Sequence, residues 1–305
     1  MLKRLLVPLD GSRLAEAILP AALFFAEHFA ATVVLFHVIE ESAPANVHGE
    51  RHLAADDEAR TYLASLVQRL ARPDVPIETN VHPAKEADVA RSITEHTQEL
   101  NADLVMLSAH GRGGLRDVLV GSIAQQVIQR GTTPVFLLRP REDSWDAAFD
   151  CKSILLPLDG SPVHEPALAV AVDVARTCEA ALHLMTVVPT ATTLSPERAA
   201  TRVLLPSTMT ALLDLAQRGA VEYLQRTTQR LLADGLKVSA EVMRGDTAQC
   251  ILDETARMRA DLVVLATHGR TTLASFWTGG VTPKILSQSA APVLLVRVMG
   301  EEAPR

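Results

Sequence analysis

Apolar residues along the chain follow two alternating rhythms. Leu5 to Leu9 is an apolar run, Leu14 to Ala30 carries apolar positions at helical spacing, and Thr32 to Ile39 is β-branched and apolar. The same reading predicts a helix over Arg51 to Arg72, a strand over Val75 to Val81, a helix over Ala87 to Leu100 and a strand over Leu104 to Ala109. A helix over Ile123 to Arg130 and a last strand over Val135 to Arg139 complete the set. Strands that read as unbroken apolar runs are buried on both faces, and strand–helix alternation calls for a parallel sheet with right-handed crossovers and helices on both sides.

The pattern then starts again. L-L-V-P-L-D-G-S (Leu5 to Ser12) returns as I-L-L-P-L-D-G-S (Ile154 to Ser161), and A-D-L-V-M-L-S-A-H-G-R (Ala102 to Arg112) as A-D-L-V-V-L-A-T-H-G-R (Ala260 to Arg270). T-P-V-F-L-L-R (Thr133 to Arg139) returns as A-P-V-L-L-V-R (Ala291 to Arg297). One domain is written twice, over residues 1–142 and 150–300, with Trp145 to Asp150 as the link. Matching positions lie further apart in the two later motifs, so the second copy is longer after its second strand. The Thr-, Ser- and Pro-rich stretch Pro189 to Gly219 is expected to contain that longer loop, either a plain surface insertion or a lid over a nearby pocket.

Composition narrows the classes. With 305 residues, 48% hydrophobic and only 4% aromatic, the chain is neither disordered nor collagen-like, and its length suits two domains. The longest apolar run, Ile18 to Ala26, is far short of the roughly 18 residues that a membrane span needs. The N-terminus reads as a strand and not as a secretory leader. Three cysteines without C-x-x-C spacing argue against a disulfide framework or a structural zinc site and for a reducing, cytoplasmic setting. Residues 1–150 hold 14 Lys plus Arg against 21 Asp plus Glu, so the whole formal charge of -7 sits in the first half. No basic stripe offers itself to nucleic acid.

In open parallel sheets, ligands bind beyond the carboxyl ends of the strands where the strand order reverses. After the first strand comes P-L-D-G-S, without the glycine fingerprints of a dinucleotide fold or a P-loop. After the fourth comes S-A-H-G (Ser108 to Gly111), nine residues, then Gly121 and Ser122 at a helix start. A loop and a helix N-terminus at one sheet end offer unpaired N–H groups to a phosphate chain.

This constellation resembles the universal stress protein family, whose ATP-binding members carry G-x-x-G, nine residues, then G-[S/T], with an aspartate after the first strand. Both copies fit, so the resemblance covers nearly the whole chain. It implies two tandem open-twisted, five-stranded parallel α/β sheets of the adenine nucleotide alpha hydrolase-like, Rossmann-like type, packed as a pseudo-dimer through their last strands. A homodimer of tandem chains is a further implication. It also implies a nucleotide site in the first copy at Pro8, Asp10, Gly11, Ser12, Val38, Ser108, His110, Gly111, Arg112, Gly121, Ser122 and Ile123. In the second copy the matching residues are Pro157, Asp159, Val187, Ala266, His268, Gly269, Arg270, Gly279 and Gly280. Ser108 and Ala266 replace the motif's first glycine and Gly280 its hydroxyl residue, so the second site is expected to be the poorer one.

Local chemistry offers rival roles for several of these residues. Asp-Gly-Ser is a turn in which Asp10 or Ser12 can cap the next helix, and Ser122 in S-I-A-Q can cap its own helix instead of meeting phosphate. V-T-P-K predicts that Thr282 caps and Pro283 opens the matching helix of the second copy, a start displaced by two residues. Phe276 and Trp277 suit helix packing or base stacking. His110 and His268 suit a loop role or catalysis, but neither has an evident nucleophile. No carboxylate pair or histidine cluster spells a metal site, so any Mg²⁺ would arrive with the nucleotide. The expected function is non-catalytic binding of ATP or AMP in stress response or regulation. The alternatives are a nucleotide-free scaffold for a protein or an apolar ligand and, behind it, a slow ATPase.

Overall fold

The computed structural model describes residues 2–40, 46–47, 50–51, 53–83, 88–109, 121–140, 147–194, 206–268 and 280–298. The chain divides into two compact units, Met1–Asp150 with Pro292–Leu295, and Cys151–Ala291 with Val296–Arg305.

The first unit runs β1 (Arg4–Pro8), α1 (Arg13–Glu16), α2 (Leu19–Phe29), β2 (Thr32–Ile39), α3 (Asp56–Leu70), β3 (Ile77–Pro83), α4 (Val89–Glu99), β4 (Leu104–Ser108), α5 (Ser122–Arg130) and β5 (Val135–Leu138). The strands stand in the order β5-β4-β1-β2-β3, all parallel. Strand order therefore reverses between β1 and β4, which share the register Leu5 with Leu104. Leu5, Leu6 and Val7 are fully buried, as a strand covered on both faces requires. Val293 to Leu295, counted with this unit, pair antiparallel with Leu137 to Val135.

The apolar stripe over Leu14 to Ala30 forms two helices, not one. Pro20 stands in the first turn of α2, where its missing N–H costs nothing, and the chain turns at Ala17 and Ile18 to let it start there. Phe149, in the expected linker, packs against Phe24, Phe25 and Phe136, with centroids 5.2 to 5.8 Å away. Four of the seven phenylalanines thus pin this end of the linker to the first unit.

The second unit runs β6 (Ser153–Pro157), α6 (Glu165–Thr177), β7 (Ala181–Val188), α7 (Pro206–Ala233), β8 (Val238–Arg244), α8 (Thr247–Met258), β9 (Leu262–His268), α9 (Val281–Gln288) and β10 (Val293–Val298), whose residues from Val296 on are counted with it. Its order is β8-β7-β6-β9-β10, with the reversal between β6 and β9. Of the stretch Pro189 to Gly219, expected to contain a longer loop, residues 189–194 are neither helix nor strand, 195–205 lie outside the described residues, and Pro206 onward is the start of the 28-residue α7. Packing of Leu224, Thr227 and Leu231 outweighs the modest helix propensity of its Ser and Thr residues.

The repeated A-D-L-V motif has a structural task in each unit. Asp103 accepts hydrogen bonds from the N–H groups of Lys3 (2.7 Å) and Arg4 (3.0 Å), and Asp261 from those of Lys152 and Ser153 (both 2.9 Å). Each aspartate satisfies donors at the amino end of the central strand and ties it to its neighbour across the reversal.

Candidate functional site

At the carboxyl ends of β1, β2 and β4, continuing the strand registers brings Asp10 level with Val38 and Leu9 level with Ser108. The same extension in the second unit brings Asp159 level with Val187, and Leu158 level with Ala266. Strand pairing thus gathers these first- and second-copy residues at one sheet end in each unit, with Pro8 and Pro157 as the last paired residues of their central strands. His110, Gly111, Arg112, Gly269, Arg270, Gly279, Phe276 and Trp277 lie outside the described residues.

Turn and cap chemistry is present in the first copy. Asp10 Oδ1 accepts from the Ser12 N–H (2.9 Å) and the Ser12 hydroxyl (2.7 Å), and Ser12 Oγ accepts from the Ala15 N–H (3.1 Å) to cap α1. Gly11 holds φ +89°, a conformation that side chains resist, and a Cβ there would meet Leu53 at 2.9 Å. Leu53 is in turn fixed by His37, a residue that the sequence reading missed. The buried ring bridges two carbonyls, with Nδ1 2.7 Å from Leu9 O and Nε2 3.1 Å from Leu53 O. A polar residue within the apolar strand V-V-L-F-H-V-I was the available signal.

Ser108 gives this strand end a polar group without a partner among the described residues. Its Oγ is buried at the last position of β4 and finds no hydrogen bond among the described residues. Native proteins rarely leave such a group orphaned except where something else is meant to meet it. The helix beyond is also open. Its N-cap is Gly121 and not Ser122, so no side chain caps the first turn among the described residues, and Ser122 and Ile123 are its first helical residues. The N–H groups of that turn lie at the positive end of the helix dipole.

The second copy shares the Asp–Ser turn and the glycine cap but differs around them. Asp159 Oδ1 accepts from the Ser161 N–H (2.9 Å) and contacts His164 Nδ1 (2.8 Å). Burial alone would raise its pKa, but the His164 contact and the Ser161 N–H hold the carboxyl below its ordinary value. Ser161, unlike Ser12, makes no cap hydrogen bond. β9 continues through His268, and Ala266 has no hydroxyl to match Ser108. The expected Thr282 cap is not formed. Gly280 is the N-cap and Val281 the first helical residue, so Pro283 falls third and still removes one N–H from the open turn.

Each unit carries a Tyr–Glu–Arg cluster that the motif comparison did not find. In the first, buried Glu16 accepts from the Tyr62 hydroxyl (3.0 Å) and pairs with Arg69. In the second, the more exposed Glu165 accepts from Tyr223 (3.3 Å) and lies 4.0 Å from Arg230. Burial and then the neighbouring carboxylate raise both phenols, Tyr223 to about 12. Tyr62 also borders an open groove of about 480 Å³ with Leu53, Asp57, Glu58 and Thr61. Its two acidic residues turn phosphate away, which leaves the α5 end as the side suited to an anion.

Comparison with known proteins agrees with this arrangement at the level of family. The model of the universal stress protein family matches residues 1–139 and again 151–297. A universal stress protein of Mycobacterium tuberculosis is 28% identical over 247 residues, covering 79% of this chain and 78% of its own. One from Mycolicibacterium smegmatis is 25% identical over 316 residues, covering 96% of each chain. Among solved structures, a universal stress protein from Archaeoglobus fulgidus superposes with a TM-score of 0.71 at 16% identity, over 96% of this chain and 98% of that one. With both copies matched by one family model, the chain belongs to the universal stress protein family as a tandem of two of its domains.

Proposed function

We propose that the first copy binds an adenine nucleotide, ATP or AMP, without turning it over, and that occupancy regulates a stress response in the cytoplasm. The Ser108 hydroxyl, buried without a partner among the described residues, carries this reading, together with the start of α5, whose N-cap Gly121 brings no side chain. A bound phosphate chain would bring negative charge and acceptor oxygens, which suit a buried hydroxyl and a row of unpaired N–H groups. Asp10 and Val38 stand at the same sheet end, where the family resemblance places the ribose and base. The second copy is the poorer site because Asp159 is engaged by His164, Ala266 replaces the serine and Pro283 removes a donor. No general base beside a nucleophile comes together at either strand end among the described residues, which favours binding over catalysis. Mg²⁺ would come with the nucleotide.

A rise in melting temperature on adding ATP or AMP tests this reading. A ligand at 100 times its Kd stabilises by about 2.7 kcal/mol. The absence of any shift, with no nucleotide retained on purification, would refute it. One observation favours the alternative, a nucleotide-free scaffold. Leu53 lies directly over Gly11, so the first copy already fills part of its own strand end with an apolar side chain.

A further inference from the structure

We propose a second site in this chain, for a single divalent cation of borderline softness such as Zn²⁺, held by His183, Glu241 and Glu254 of the second unit. These residues come from β7, β8 and α8, and one ligand atom of each lies within 4.8 Å of the other two. None of them belongs to either strand end described above. Their separation along the chain explains why no motif reveals them.

The hydrogen bonds around His183 favour a cation. Its Nδ1 lies 2.7 Å from Ser239 Oγ, and when that nitrogen carries the proton, Nε2 keeps a bare lone pair 3.2 Å from Glu254 Oε1. Nε2 is buried and makes no hydrogen bond to that oxygen or to any other described atom. Two electron-rich atoms at this distance repel unless a positive charge lies between them. A tetrahedral metal with bonds of roughly 2.0 to 2.2 Å to nitrogen and oxygen separates its ligand atoms by about 3.4 Å, close to the 3.2 Å between His183 Nε2 and Glu254 Oε1, while Glu241 lies within the wider 4.8 Å limit. A hydrogen bond to the far ring nitrogen is also how metal-binding histidines are usually oriented.

Charge points the same way. Arg257 grips Glu254 through Nε (2.7 Å) and Nη2 (2.6 Å), and the same Nη2 reaches Glu241 at 3.2 Å. It positions both carboxylates and cancels one of their two charges, so the cluster keeps one net negative charge for an incoming cation. Glu254 is 1% exposed and Glu241 48%, so the outer carboxylate can swing to complete the set while water takes the fourth position. The first copy has no counterpart, because equal registers on the central strands place Val34 where the second copy has His183.

The test uses the full chain, free of any histidine tag, titrated calorimetrically with Zn²⁺ and spectroscopically with Co²⁺. One ion per chain is expected, with the visible bands of tetrahedral Co²⁺. His183→Val and Glu241→Gln should each weaken binding at least tenfold. Ser239→Ala, which frees the ring, should weaken it tenfold to a hundredfold. Glu241 is half-exposed, so its variant keeps the test open if His183→Val fails to fold. Absence of binding, unchanged affinity in a folded variant, or a thiolate-to-cobalt charge-transfer band placing the ion on cysteine would overturn the proposal.

Discussion

Replacing Ser108 with alanine should move stability and ligand affinity in opposite directions. The Oγ is buried without a partner among the described residues, and an unsatisfied buried hydroxyl costs about 1 to 3 kcal/mol. Ser108→Ala removes that penalty and leaves a gap no larger than one oxygen atom, so the ligand-free protein should gain about 1 kcal/mol. For a unit of this size such a gain lifts the melting temperature by about 2 to 4 °C. If the hydroxyl meets a nucleotide phosphate, the same change deletes a hydrogen bond to a charged group worth about 1.5 to 3 kcal/mol, or roughly tenfold to 150-fold in Kd. Scanning calorimetry of both proteins without ligand and across an ATP titration reads both effects. A destabilised ligand-free variant would mean that the hydroxyl has a protein partner. Unchanged ATP affinity would mean that it does not face the ligand.

Further outcomes follow from other parts of the structure. Ser122→Asp places a carboxylate in the first turn of α5, where the helix dipole should reward it by about 0.3 to 1 kcal/mol while phosphate is repelled; urea midpoints should rise as ATP affinity falls. Glu16→Ala strands the buried Tyr62 hydroxyl and should cost about 2 to 4 kcal/mol, whereas Glu165→Ala, in the more exposed cluster, should cost under about 1 kcal/mol. Equal urea midpoints for those two variants would count against the burial argument. Asp159 has a lowered folded pKa, so its contribution to stability is present above the unfolded value of about 3.9 and is lost as pH falls through the folded one. Asp159→Asn should therefore be less stable than the parent at pH 7, and the difference should close below about pH 4 in acid titrations of the unfolding midpoint.

The parts of the fold visible in the sequence were those written locally and repeated. P-L-D-G-S announces the end of β1 and of β6 because its turn chemistry sits within three residues, and Asp103 and Asp261 mark strand starts within A-D-L-V. What stayed hidden depends on contacts across the fold. Pro20 divides α2 from α1 although the apolar stripe runs on through it, and α7 forms from a Ser- and Thr-rich stretch because the sheet packs against it. The Tyr–Glu–Arg clusters escaped the repeat search because the second copy lengthens between glutamate and tyrosine. At the site, Asp10 and Ser108 could be named from their motifs, but the orphaned hydroxyl, the His37 bridge and Leu53 over Gly11 arise only once strands stand in register. The cap of α5 is Gly121, one residue before the expected Ser122, and that of α9 is Gly280, two before the expected Thr282.

Native mass spectrometry of the full chain titrated with ATP, run beside Ser122→Asp and its second-copy counterpart Gly280→Asp, tests the central claim most directly. The account predicts one nucleotide per chain at the first copy, lost in Ser122→Asp and kept in Gly280→Asp. Absence of nucleotide from the parent chain, or retention in Ser122→Asp with loss in Gly280→Asp, would contradict it.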